Sequence, residues 1–137
     1  MREIRFRGKR IDNGEWVTGC LKHVYRNDFP PEITSWTDAE GGYYRTDPVN
    51  PDTVGQYTGM KDINGKDIYE GDVLNMRSHW GRYVGFDDGA FVAIQTNKVQ
   101  RINHRPYRLN QEDIDDGWLV TGNIHDNPEL LEDGGQK

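Results

Sequence analysis

The stretch Val54-Gly-Gln-Tyr-Thr-Gly-Met-Lys-Asp-Ile-Asn-Gly-Lys-Asp-Ile-Tyr-Glu-Gly-Asp-Val-Leu74 decides the fold class. Within it, Asn64-Gly65 carries the strongest short-range hairpin signal. A type I′ turn needs positive φ at both central residues, which Asn tolerates and Gly takes at no steric cost. One strand should therefore end near Asp62 and another begin near Lys66. Ile68 and Tyr69 continue the second arm into Glu70-Gly71-Asp72, where Gly71 permits a sharp bend, and Val73-Leu74-Asn75-Met76 resumes an apolar strand. Strand, bend and strand in succession suit a small curled sheet. The stretch holds no nucleophile paired with a base, no metal-ligand spacing and no phosphate loop, so it speaks of fold and not of chemistry.

Working outward, Ile4-Arg5-Phe6-Arg7-Gly8-Lys9 alternates apolar with basic, which sets Ile4 and Phe6 on a packed face and Arg5, Arg7 and Lys9 on a wet one. Asp12-Asn13-Gly14 is a second turn signal, with Trp16 to Leu21 as the returning strand, so residues 1–25 read as a hairpin. From Asn27 to Asp52 come Pro30, Pro31, Pro48 and Pro51 with the pair Gly41-Gly42. These predict a loop-rich excursion holding one short hairpin around the glycines. Arg82 to Phe86 and Ala90 to Ile94 flank Asp87-Asp88-Gly89, giving a three-strand meander from Val73 to Ile94. Trp118 to Ile124 reads as a closing strand. Asn127-Pro128-Glu129 starts a C-terminal helix of one to two turns that ends at Gly134-Gly135 and is anchored by Leu130 and Leu131.

The 137 residues suit one domain, divided here into 1–53 (hairpin and loops), 54–124 (the central β part) and 125–137 (helix and tail). Four Trp, seven Tyr and four Phe supply much of the burial and favour strands. The expected fold is mainly β: a small twisted sheet or SH3-like, partly open barrel with hairpins and a short C-terminal helix. Cys20 is the single cysteine, so no internal disulfide and no thiolate zinc cluster can form. No apolar run approaches a membrane span and no signal-peptide core opens the chain. The expectation is a cytoplasmic protein without membrane contact.

At this point the order of residues resembles a known family. Gly55-Gln56-Tyr57-Thr58-Gly59, then Asp62, Asn64-Gly65-Lys66 and Ile68-Tyr69-Glu70-Gly71-Asp72-Val73 are similar to the signature of the YopX family of phage and prophage proteins. Arg2 to Gly8 is similar to the family's opening strand and Val120 to Leu131 to its close, so the matches occupy roughly a third of the chain. The resemblance implies a small, mainly β protein of phage origin in a bacterial host, with no family catalytic residue to carry over. It makes Gly55, Tyr57, Gly59, Asp62, Asn64, Gly65, Tyr69, Glu70, Gly71 and Asp72 structural residues of the motif.

The net charge of −6 disfavours nucleic acid and anionic membranes as partners. The charge is uneven: residues 1–10 carry five basic and one acidic side chain, and 111–137 carry eight acidic and one basic. Such runs are usually solvated faces, here able to pair within the fold or across a contact between copies, so a homo-oligomer is one expectation. Lys98 to Arg108 holds four basic residues, a His and a Tyr with no acid. Arg101, Arg105 and Arg108 could thus contact a phosphate backbone, although Glu112, Asp113, Asp115 and Asp116 follow at once. Asp62-x-Asn64-Gly65-x-Asp67 lacks calcium-loop spacing, because Gly falls fourth and Val73 closes the count. His23, His79, His104 and His125 share no ligand spacing, so neither metal nor cofactor is expected. Glu70/Asp72 and Asp87/Asp88 read as turn formers, and Ser35 and Ser78 lack a nucleophile setting. The reading is a non-enzymatic module that binds a phage or host protein. A nucleic-acid factor using 98–108 is the alternative, and an unrecognised hydrolase comes third.

Overall fold

In a computed structural model of the protein, residues 3–22 and 29–131 are described. The chain forms two compact units, residues 1–57 and 58–137. It is mainly β, built of antiparallel sheets with two short helices.

In the first unit, β1 (Phe6–Lys9) and β2 (Trp16–Lys22) form the expected hairpin, with Phe6 opposite Gly19 and Lys9 opposite Trp16. Its loop is closed by Arg10 N–H to Glu15 C=O at 2.8 Å and Gly14 N–H to Arg10 C=O at 2.9 Å. The short hairpin expected around Gly41-Gly42 is present and longer than expected, with two fully paired six-residue strands, β3 (Glu32–Thr37) and β4 (Tyr43–Pro48). Their β-branched and aromatic content outweighs the flanking prolines. The start of β5 (Gly55–Lys61) adds beside β1, giving the order β4-β3-β2-β1-β5. Ile33 and Val49 are fully buried. Gly8 lets them close over β1, since a Cβ there would stand 3.0 Å from Val49 Cγ2. The wet face of β1 differs from expectation. Arg5 lies over the Tyr57 ring at 4.1 Å and Arg7 over Trp16 at 4.6 Å, while Ile4, expected to pack, is exposed. The cationic stems cover aromatic faces instead of standing free in water.

In the second unit, the latter half of β5 turns into β6 (Asp67–Tyr69), and β7 (Asp72–Asn75), β8 (Arg82–Asp87) and β9 (Ala90–Gln95) form the expected meander. After it come α1 (Lys98–Asn103), β10 (Tyr107–Arg108), α2 (Gln111–Ile114) and β11 (Leu119–Asn123). The sheet order is β10-β9-β8-β7-β11. It keeps two edges, so the sheets are not closed into a barrel. Ile68, Leu74, Val84, Phe91, Ala93, Leu109, Ile114 and Trp118 make its core. The C-terminal helix is shorter than expected: only Pro128–Leu130 forms a 3-10 turn, and Asn127 does not cap it. Its Oδ1 accepts from Asn123 N–H at 3.3 Å instead. Leu130 does reach the sheet, its Cδ1 lying 3.0 Å from where a Gly122 Cβ would be. Gly134-Gly135 lie outside the described residues. Among the described residues, no helix is long and apolar enough to cross a membrane.

The turn at Asn64-Gly65 is real but of another type. Gly65 has φ 83°, and Asn64 is not among the positive-φ residues. Gly65 N–H donates to Asp62 C=O at 2.9 Å and Asp62 N–H to Lys66 C=O at 2.9 Å, a three-residue loop ending in a left-handed glycine. Asp88 (φ 50°) and Gly89 (φ 78°), both positive, are where the chain uses the two-residue form. What displaced the type I′ turn is the Asp62 side chain. Oδ1 accepts from the N–H groups of Asn64 and Lys66, both at 2.9 Å, and Oδ2 from Val120 N–H at 3.0 Å. Burial pushes this carboxyl up, but the three backbone donors and nearby Lys66 outweigh it and hold the group below its ordinary range.

Because the folded pKa is depressed, the stabilisation is present above the unfolded value of about 4 and lost as pH falls through the folded one. Asp62→Asn sets an amide N–H against backbone donors, so it should cost about 1–3 kcal/mol near neutral pH. It should also flatten the acid limb of the stability curve. Urea titrations between pH 7 and 2 check both.

Candidate functional site

The residues of the motif from Gly55 to Asp72 take the following places. Gly55 is buried at the start of β5, Tyr57 lies beneath Arg5, and Gly59 has φ 84°. Asn64 and Gly65 form the Asp62 turn, Tyr69 is buried, and Glu70-Gly71 makes the bend into Asp72. Asp72 Oδ2 accepts from Tyr69 N–H at 2.8 Å, and Gly71 N–H donates to Val84 C=O at 2.8 Å. Each of these ties one strand to the next.

The three arginines separate. Arg101 sits in α1, which the sequence reading missed, and its guanidinium donates to the carbonyls of Gln95 and Thr96, both at 3.0 Å. Asn97 starts that helix by accepting from Gln100 N–H at 3.1 Å. Arg105 and Arg108 are exposed and line an open groove of about 540 Å³ with Asp87, Asp88, Ala90, Val92 and Pro106. The acids that share this groove with the two arginines are those of the β8–β9 turn. Among the described residues, no group of three or more His, Cys, Asp or Glu could hold a metal ion.

The most exposed aromatic cluster lies on the β3–β4 hairpin, the one expected around Gly41-Gly42. Trp36 is 56% exposed, Tyr43 46% and Tyr44 73%. Trp36 stands opposite Tyr44 and Thr34 opposite Thr46, so all four share one face, and the two threonine hydroxyls bond at 2.8 Å. On the neighbouring strand Cys20 pairs with Thr34, extending the same face through exposed Cys20, Thr18 and Lys22.

Exposure does not leave Trp36 loose. Its indole N–H donates to Asp38 Oδ1 at 2.8 Å, its ring meets Tyr44 edge-on at 5.1 Å, and it covers Gly42. The turn that allows this has φ 51° at Glu40 and 89° at Gly41 and Gly42. Gly42 N–H closes it on Ala39 C=O at 3.1 Å. The length of the two strands was also legible, in Ile33 to Thr37 and Tyr43 to Thr46, two β-forming runs around the turn, but the prolines obscured it.

Comparison with known proteins comes after this geometry. The family profile described as "YopX protein" matches residues 5–132. No curated protein matches the chain. Among solved structures, the crystal structure of protein EF1440 from Enterococcus faecalis is similar, with 25% identity and a TM-score of 0.58. The likeness covers 96% of this chain and 100% of that one.

A Cβ at Gly42 would lie 2.5 Å from the Trp36 ring, on a backbone at φ 89°. Gly42→Ala should therefore dislodge the indole and cost about 1–3 kcal/mol. Near-UV circular dichroism and a thermal melt read both effects, and parental values in both would remove this arrangement.

Proposed function

The chain belongs to the YopX family, and on that premise we propose that it is a non-enzymatic protein-interaction module. In this reading it is an accessory product of a phage or prophage, acts in the cytoplasm of the bacterial host, and binds a phage or host protein through the β3–β4 hairpin. The observation that carries the reading is the fixed, exposed pair Trp36 and Tyr44 on one face of the hairpin, with exposed Tyr43 beside them in the strand. Trp and Tyr are enriched among the residues that carry binding energy at interfaces. A ring already held by Asp38, Tyr44 and Gly42 loses little freedom on docking, so more of its burial is retained as affinity. The non-enzymatic part rests on the sequence, which offers no nucleophile with a base and no paired acid and base.

Affinity capture with the tagged full chain, from a lysate of bacteria carrying a prophage that encodes a YopX-family protein, tests the reading. A specific partner should be retained by the parent. Trp36→Ala/Tyr44→Ala should weaken its retention by about tenfold or more, with the melting temperature little changed. Equal retention by parent and variant sinks the hairpin as the surface.

Against the nucleic-acid alternative stand the net charge of −6, the engagement of Arg101 with two carbonyls, and the acids beside Arg105 and Arg108. Titration with labelled single- and double-stranded nucleic acid should show no salt-sensitive binding. Low-micromolar affinity that falls steeply with salt, with a slope shallowed by each of Arg101→Ala, Arg105→Ala and Arg108→Ala, would favour that alternative.

A further inference from the structure

In the second unit, the open groove of about 540 Å³ carries opposite charges on its two sides. Cross-strand partners share a face of a sheet. Asp87 stands opposite Ala90, and Arg108 opposite Val92, so these four residues lie on one side of the β8-β9-β10 sheet. The other side holds Val84, Phe91, Ala93 and Leu109 of the core. Because β8 and β10 flank β9, Asp87 and Arg108 stand on strands about 10 Å apart. Asp88 follows Asp87 into the turn, Arg105 precedes Pro106 on the far side, and Ala90, Val92 and Pro106 complete the lining.

All four charged residues are exposed, and among the described residues none of their side chains has an ion-pair or hydrogen-bond partner. Other arginines of the chain are engaged: Arg10 and Arg45 with Asp47, and Arg101 with two carbonyls. The backbone keeps the two pairs in place. Positive φ at Asp88 (50°) and Gly89 (78°) sets the tip of the hairpin, and Pro106 restricts the residue before it. At physiological salt a separation of about 10 Å exceeds the screening length of about 8 Å, so acids on β8 and bases on β10 attract each other weakly. An opposite charge brought into contact at about 4 Å interacts far more strongly with either.

We propose that this groove is covered by the same groove of a second copy of the chain, related by a two-fold axis that passes over Ala90 and Val92. A patch with acids on one side and bases on the other is complementary to itself under that rotation. Asp87 and Asp88 of each copy then meet Arg105 and Arg108 of the other, in the geometry that lets a guanidinium fork take a carboxylate. The patch is neutral as a whole, two acids against two bases. A partner surface of one sign would set half of these charges against like charge, whereas a second copy opposes every one of them. The net charge of −6 on each copy acts from farther away and is screened more than the contact pairs. Exposed ion pairs contribute little individually, so the dimer is weak and reversible. This surface lies in the second unit and the β3–β4 hairpin in the first, so the two interactions are independent.

The experiment uses the purified full chain. Sedimentation velocity from micromolar to millimolar protein should show a reversible, concentration-dependent dimer. Asp87→Lys/Asp88→Asn and Arg105→Glu/Arg108→Glu should each raise its dissociation constant by about tenfold or more, because each variant sets like charges together. Asn at position 88 keeps a side chain that tolerates positive φ. Arg105→Gln/Arg108→Gln removes the charge without reversing it and should give a loss in the same direction. Mixed in equal amounts, the two charge-reversed variants should associate again, since a basic groove then meets an acidic one; that recovery also shows that both are folded. Trp36→Ala/Tyr44→Ala should leave the dimer unchanged. A parent that stays monomeric throughout, a dimer that keeps its strength in the charge variants, or reversed variants that fold and do not associate when mixed overturns the proposal. A dimer lost only on Trp36→Ala/Tyr44→Ala moves the contact to the hairpin and overturns it as well.

Discussion

One carboxylate closes the second unit. Asp62 gathers three backbone N–H groups, two from its own turn and one from Val120, 58 residues later on the closing strand. Without it the turn would lose the contact that commits it to a three-residue loop, and β11 would lose a bond beside its bulge between Val120 and Gly122. The side chain thus sets a local shape and a long-range register together. Hydrogen bonds to a charged acceptor are among the stronger ones, and here the acceptor is buried while its three donors are partly so.

The first unit is held differently. Its central strand carries Gly8, which admits Ile33 and Val49 over the backbone, and its cationic side chains spread across Tyr57 and Trp16. Basic residues that look in sequence like a solvated stripe become part of the packing. The same economy governs Arg101, whose charge is spent on two carbonyls at the end of β9. In both places a cation that composition would offer to a phosphate is already satisfied by the fold.

The hairpin of β3 and β4 combines two properties that small domains usually keep apart. Its outer face presents aromatic rings held by side-chain contacts, and its outer edge is held by Ile11 at Pro48 while Tyr44 and Thr46 have no backbone partner there among the described residues. The face suits side-chain recognition.

Much of the fold was legible in the sequence because it rests on local chemistry. Alternating apolar residues and turn glycines marked the β1–β2 hairpin, the bend at Gly71, the meander from Val73 to Ile94 and the strand after Trp118. The order of residues from Gly55 to Val73 pointed to the YopX family before any coordinates. Three features were not legible. The turn type at Asn64-Gly65 depends on Val120 arriving beside Asp62, a contact that no window of neighbouring residues contains. The α1 helix has no acid in its first turn and exposes Val99 and Ile102, so its amphipathic signal is weak. The full length of the β3–β4 strands, though not their hairpin, was masked by prolines that sit just outside the ladder or where the N–H would face away from β3. By itself the sequence determined strand content, most turns and family, since these follow from backbone preferences of adjacent residues. Only the tertiary structure decided which cations are engaged, which rings stay exposed and which edge is left open, because each depends on partners distant in the chain.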